Sequence, residues 1–429
     1  MEKRTIRKKL KEIQQEPKKK GTWKVVLISI PCIIIQLLAI IVSLFWGLRI
    51  SGEKSLYDKV DKEKPQLVVD KEEETVGELI IDLDGGIGDV TVDDTINSDE
   101  NGGGDSAGNN SQGGNDNTNN GNTENPVERP TEKPTEKPTY VIPSNSDEYD
   151  VLYNGEKYVY NDDIISLLFL GIDTPSEVKP AEDSVSGGQS DAIYLMVLNP
   201  DTKIMDIIAI HRDSIAIIDV YNPDGTHNVS GYAQICLQHA YGDGMELSNE
   251  RAKKAVSRML YNLPIHSVTS INMGAIADLN DAVGGVTLDV LHDIDGYGYK
   301  FTKGDRVTLK GMEAYAYLRF RDLYRHYTAA ERLERQKQYI NLFIEKAISE
   351  LKKDVGKVID IYDIVKKYVV TDLELNEMTY LASEIIGYDF GGIYTLKGEV
   401  NTKWKYERYY LDEAALYEMI IDKFYEKVN

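Results

Sequence analysis

The sequence predicts an α/β domain with a mixed central sheet covered by helices, preceded by one transmembrane helix and a disordered linker. Three observations carry this. Apolar runs of strand length, "DIISLLFLGID", "DAIYLMVLN" and "IMDIIAIHRD", follow one another closely, the last two joined by the turn "PDTK". Longer helical stretches such as "SNERAKKAVSRMLYNL" separate later apolar runs, and neighbouring strands mixed with helices imply a sheet with helix-covered faces. A chargeless run and a Gly-, Asn- and Pro-rich segment set this domain apart from the N-terminus.

Residues 1–24 hold ten Lys and Arg against three Glu and read as a basic cytoplasmic tail. Residues 25–48, "VVLISIPCIIIQLLAIIVSLFWGL", carry no charge. As a helix they reach about 36 Å, enough for a hydrocarbon core of roughly 30 Å, and no small-residue cleavage site follows them. The expected topology is a single-pass anchor in the cell membrane, N-terminus cytoplasmic and C-terminal domain extracellular.

Residues 49–149 read as an extracellular disordered linker. "NGGGDSAGNNSQGGNDNTNNGNTEN" has little to bury, and "RPTEKPTEKPT" favours extended polyproline conformation. A hundred flexible residues span on the order of 55 Å, which lets the outer domain roam near the membrane. One exception is a short hairpin expected near residues 77–93, in "GELIIDLDGGIGDVTVDD".

The domain covers residues 150–429. Its first strand ends at Asp173, and "SVTSINM" and "GGVTLDV" are further strands around a short helix, "GAIADLNDAV". A helical run starts at Gly311. Closing helices are expected near 328–352, 375–386 and 412–427, the first with Thr328 and Glu331 as a capping box.

The net charge of −22 argues against nucleic acid as a partner of the outer domain. There are two cysteines, Cys32 inside the apolar run and Cys236 outside it, so the chain carries no disulfide framework and no thiolate metal site. Cys236 reads as a small buried residue.

Against this acidic background, "LRFRDLYRHYTAAERLERQKQ" holds five of the 14 arginines: Arg319, Arg321, Arg325, Arg332 and Arg335. Arg332 and Gln336 lie one turn apart near a helix start, and Arg319 and Arg321 just before it. Paired guanidinium forks at a helix N-terminus suit phosphate oxygens, although surface pairing with nearby carboxylates accounts for the composition equally well. Asp173, Asp191, Arg212 and Asp213 stand at strand ends, where α/β folds keep their sites. Carboxylates there suit Mg²⁺, which takes one or two of them together with substrate phosphates.

The order "FLGID", "SDAIYLMVLNPDTKIMDIIAIHRDS", "LNDAVGGVTLDV", "FTKGDRVTLKGMEAYAYLRFR" and "RLERQ" resembles the LytR–CpsA–Psr family over about residues 163–345. The resemblance implies a membrane-anchored enzyme that moves a glycopolymer from a polyprenyl-pyrophosphate carrier to peptidoglycan with Mg²⁺ (or Mn²⁺). It also implies helices framing an apolar slot for the lipid chain. On the matching positions, Arg319, Arg321, Arg332, Arg335 and Gln336 would bind the pyrophosphate and Asp173 and Asp191 the metal. Asp191, Arg212 and Asp213 would serve catalysis. The chain departs from the family pattern at "GIDTPS", which lacks an Arg after the Asp, and at Gln189, His211 and Ala329. A non-catalytic lipid-carrier or wall-binding protein, or a polyprenyl-pyrophosphate hydrolase, fits the same residues.

Overall fold

A computed structural model describes residues 43–60, short stretches between 64 and 93, and residues 148–428 except 321, 323–327 and 355. The strands, in chain order, begin with β1 (Glu78–Ile81), β2 (Val90–Asp93), β3 (Val151–Tyr153) and β4 (Glu156–Tyr160). Then come β5 (Ile165–Ile172), β6 (Ser190–Asn199), β7 (Ile204–Ile210), β8 (Ile215–Tyr221), β9 (His227–Gln234) and β10 (Ser267–Asn272). A lobe follows with β11 (Val286–Asp289), β12 (Ile294–Gly296), β13 (Tyr299–Phe301) and β14 (Arg306–Leu309). The last are β15 (Val369–Thr371), β16 (Asp389–Thr395), β17 (Gly398–Asn401), β18 (Arg408–Leu411) and β19 (Tyr425–Val428).

The central sheet has the order β15-β10-β5-β6-β7-β16. It is mixed: β5 runs parallel to β10 and β7 parallel to β16, while β6 is antiparallel to both β5 and β7. The middle strands β5, β6 and β7 are largely apolar because both faces are covered. Side chains of a strand alternate between faces. Leu168, Leu170 and Ile172 of β5 therefore pack with Ala252, Val256 and Ile420 on one side. Ile165 and Leu167 join Tyr380 and Leu381 on the other.

The helices Glu246–Met259, Ala275–Ala282, Met312–Arg319 and Leu375–Ile385 fall where their periodicity places them. The helix Thr328–Lys353 starts within a residue of the expected cap. The closing helix, Glu413–Phe424, stops earlier than the sequence suggests, since residues Tyr425–Val428 pair with β4 as β19.

The N-terminal part differs most from expectation. Of the apolar run, residues 25–42 lie outside the described residues, and no described helix is long and apolar enough to cross a membrane. Residues 43–57 are helical. Residues 43–48 belong to the expected span, and from Arg49 on the helix is docked where a roaming linker was expected. Leu56 is fully buried beside Ile165 and Tyr380, and Ser55 Oγ and Lys59 Nζ reach Glu377 at 2.7 and 2.6 Å. The expected hairpin is present as β1–β2, but it too is docked, β1 pairing in parallel with β9. The low-complexity stretches between them and residue 148 lie outside the described residues.

One buried group under this docked helix makes stability depend on pH. His266 is 2 % exposed, packs edge-on against Tyr57, and accepts through Nδ1 from Ser166 N at 3.2 Å. Burial, with help from Lys253, lowers its pKa from 6.5 to about 4. The unfolded chain takes up a proton that the folded chain refuses, so this stability is complete above about pH 6.5 and is lost as pH falls toward 4. Urea unfolding at pH 7 and pH 5 is expected to give a lower midpoint at pH 5, and a smaller difference for His266→Gln.

Candidate active site

Antiparallel pairing of β5 with β6 and of β6 with β7 brings three strand ends to one edge of the sheet. Asp173 follows β5, Asp191 opens β6, and His211, Arg212 and Asp213 follow β7. The helix Met312–Arg319 delivers Arg319 to the same edge, and the first turns of Thr328–Lys353 deliver Arg332 and Gln336. All eight residues line one polar cavity of about 580 Å³.

Within it, cations and carboxylates alternate. Arg212 bonds Asp191 through Nη1, Gln189 Oε1 through Nη2 at 2.8 Å, and Asp213 Oδ1 through Nε at 3.3 Å. Arg319 Nη1 bonds Asp173 and stands 3.8 Å from Asp191 Oδ2. Asp191 is the pivot. Its side chain is 6 % exposed, and burial pushes its carboxyl above the usual range while Arg212, Arg332 and Arg319 pull it back and Asp173 adds to the rise. An incoming anion must therefore take arginines from carboxylates, and a cation must replace what the carboxylates lose.

Beside this cavity lies an apolar one of about 220 Å³ between the sheet and the helices Ala275–Ala282 and Thr328–Lys353. Its lining includes Ile276, Leu279, Ile340 and Phe343, and its floor includes Gly171 and Ala192. The floor is open because its residues are small: a Cβ added at Gly171 would stand 3.0 Å from Ala192 Cβ. Ala192, Tyr194, Arg319 and Gln336 line both cavities, so the charged edge and the apolar slot share a mouth.

Asp173, Asp191, Arg212, Asp213, Arg319, Arg332 and Gln336 are brought together around the polar cavity. Arg321 lies outside the described residues. Arg335 is a correction to the expected phosphate cage. It is 1 % exposed, and its guanidinium is spent on backbone, donating to Tyr317 O at 2.9 Å and to Phe320 O. Those are carbonyls left unpaired at the end of the helix that carries Arg319, and Gln336 Nε2 adds Leu318 O at 3.4 Å. Arg335 thus fixes where Arg319 points. Replacing it with Ala leaves buried carbonyls unpaired and is expected to cost about 1–3 kcal/mol in chemical denaturation, with Lys restoring only part because it lacks the planar fork.

The sequence reading left several neighbours without a role. Gln189 answers Arg212, and Cys236 Sγ stands 3.4 Å from Arg212 Nη2. Burial pushes the Cys236 thiol up to about 12, which excludes a thiolate nucleophile. His211 stacks on Tyr409 with ring centroids 4.7 Å apart, and its Nδ1 is 3.8 Å from Asp213 Oδ2. Burial lowers its pKa, with Asp213 opposing. Tyr297, Lys405, Tyr406 and Glu407 complete the polar wall.

Among the described residues no group of three or more His, Cys, Asp and Glu side chains is placed to hold a metal ion. The carboxylates of Asp173 and Asp191 do face one Arg319 nitrogen together, a pair that fits a hard divalent cation completed by phosphate oxygens.

Comparison with known proteins gives this site a context. The chain is 29% identical over 238 residues to the polyisoprenyl-teichoic acid–peptidoglycan teichoic acid transferase TagU of Oceanobacillus iheyensis, covering 52% of this chain and 64% of that protein. It is 30% identical over 224 residues to the TagU of Enterococcus faecalis, covering 52% and 66%. The matches therefore span just under two thirds of those relatives. Among solved structures, protein gbs0355 of Streptococcus agalactiae superposes with a TM-score of 0.50 at 24% identity, over 61% of this chain and 87% of that one, and shares the fold. Bacillus subtilis TagV superposes with a TM-score of 0.47 at 22% identity, over 61% and 96%. The LytR_cpsA_psr family model matches residues 119–423, and the chain belongs to that family.

Proposed function

We propose that this protein is a phosphotransferase that moves a glycopolymer, such as a teichoic acid or capsule polymer, from a polyprenyl-pyrophosphate carrier to peptidoglycan. It would be held in the cell membrane by its N-terminal apolar run, with the domain outside. The observation that carries the reading is the shared mouth of the two cavities: Arg319 and Gln336 line both the polar pocket and the apolar slot. A lipid pyrophosphate pairs several phosphate oxygens with a long apolar chain, the combination these two linked cavities offer.

In this reading the lipid chain lies along Ile276, Ile340 and Phe343, and Arg319, Arg332 and Gln336 hold the pyrophosphate. Arg321 belongs to the same proposed cage. Asp173 and Asp191 would hold Mg²⁺ (or Mn²⁺), which would neutralise phosphate charge when bound. The acceptor hydroxyl attacks the phosphorus that bears the glycan. A new P–O bond to the acceptor forms, the bond to the lipid phosphate breaks, and the lipid monophosphate leaves with the bonding pair. Asp213, paired with Arg212, would receive the hydroxyl proton, while Arg212 and Arg319 would neutralise the developing charge.

The test mixes the full chain in detergent with a glycan-bearing polyprenyl pyrophosphate, Mg²⁺ and peptidoglycan oligomers. Covalent glycan on the oligomers is the expected result. Lipid phosphate with free glycan phosphate would instead indicate a hydrolase, and binding without either product a carrier-binding protein.

A further inference from the structure

Strand β1 lies well ahead of residue 119, where the family match begins, yet it is tied to the wall of the polar cavity. It enters the sheet beside β9, where Tyr232 N donates to Gly77 O at 3.1 Å. Leu79, 1 % exposed, fills the space over Gly231: a Cβ added there would stand 2.5 Å from Leu79 Cγ. The next link is ionic. Arg408, 4 % exposed, donates through Nη1 to Glu78 Oε2 at 2.8 Å and through Nη2 to Leu79 O at 2.9 Å, and Trp404 covers its guanidinium at 3.7 Å. Tyr410 OH adds a bond to Glu78 Oε1 at 3.3 Å.

Arg408, Tyr409 and Tyr410 belong to β18, whose hairpin with β17 closes over residues that line the polar cavity: Lys405, Tyr406 and Glu407. The hairpin is also joined to the catalytic edge, since Tyr409 N donates to Asp213 O at 2.8 Å and its ring stacks on His211. Hairpin residues line only the polar cavity, whereas Arg319 and Gln336 stand where it meets the slot. A carrier with its tail in the slot therefore turns its sugar portion toward the hairpin. A tyrosine ring flanked by a cation and a carboxylate suits a hydroxyl-rich ring, which offers a C–H face to the aromatic and hydroxyls to the ions.

We infer that β1 is a latch, with Glu78 and Arg408 as positioning residues, that sets the hairpin as a glycan-binding wall of the site. The inference rests on the proposed function and adds to it a segment outside the family match. The shared ligand chemistry is a saccharide, either the first sugars of the carried polymer or the acceptor.

The test uses the full chain and three probes: bare polyprenyl pyrophosphate, the same carrier bearing its glycan, and a peptidoglycan oligomer. Glu78→Ala and Tyr406→Ala are each expected to weaken a glycan-bearing probe about tenfold while the bare carrier stays within about twofold, because the arginine side of the site is untouched. Glu78→Gln, which keeps an acceptor for Arg408, is expected to recover most of the loss, and unchanged binding of the bare carrier separates the effect from damaged folding. Loss confined to the glycan-bearing carrier places the donor sugars on the wall, and loss confined to the oligomer places the acceptor there. Equal weakening of all three probes, or none, overturns the latch. If the wild-type chain fails to bind the bare carrier, the proposed function falls instead.

Discussion

Arg319→Ala is expected to lower affinity for a polyprenyl pyrophosphate by about 10²- to 10⁴-fold, and to remove transfer with it. Two charge-assisted hydrogen bonds to phosphate, each worth about 1.5–3 kcal/mol, set that range. The protein should remain folded, since Arg319 pairs in the ligand-free site with Asp173, whose side chain is 41 % exposed and can return to water. The loss has a second source at Asp191. With one counter-charge gone, its raised pKa is expected to rise further, leaving less carboxylate to hold a cation. Arg319→Lys keeps the charge without the fork and should fall between the two. Isothermal titration with the lipid pyrophosphate, alongside circular dichroism, separates these effects from unfolding.

Ile340→Asp tests the slot. A carboxylate on this wall must be desolvated whenever a polyprenyl chain enters, and burial of an apolar chain is worth about 0.8 kcal/mol per methylene. Binding of a long polyprenyl pyrophosphate is expected to drop by about 10²-fold, while a short-chain pyrophosphate that does not reach Ile340 binds as to the wild type. Equal affinity of the variant and the wild type for the long chain would mean that the lipid lies elsewhere. Ile340 is only partly buried, so the folded state tolerates the change.

The elements that position the site were legible because they follow simple periods. The runs ending at Asp173 and Asn199 read as strands, and the turn "PDTK" fixed β6 and β7 as neighbours, which brings Asp191 and Arg212 to one edge. The helix from Thr328 showed its start in its cap. Arg335 entered the expected cage only through the family resemblance, and a matching position does not say whether its side chain faces the site or turns inward. A signal existed: Tyr339, one turn on, is also buried, so Arg335 and Tyr339 share the inward face.

The docking of residues 49–57 and of β1 was not legible for a different reason. Their partners, Glu377, Glu384 and Arg408, lie more than 300 residues away, and the intervening Gly- and Asn-rich stretch gives the whole region the composition of a linker. Composition reports what cannot fold alone, and a four-residue strand that borrows its sheet from β9 falls below that signal. The wall formed by Lys405, Tyr406 and Glu407 shares this character, because only tertiary pairing brings its hairpin to Asp213.

The central claim is that this edge exchanges its own ion pairs for a pyrophosphate and a divalent cation. Affinity of the full chain for a polyprenyl pyrophosphate and for the matching monophosphate, each measured with and without Mg²⁺, tests it most directly. The account predicts that the pyrophosphate binds at least about tenfold more tightly than the monophosphate, and that Mg²⁺ strengthens the pyrophosphate complex by relieving Asp173 and Asp191. Equal binding of the two lipids, unchanged by Mg²⁺, would contradict it.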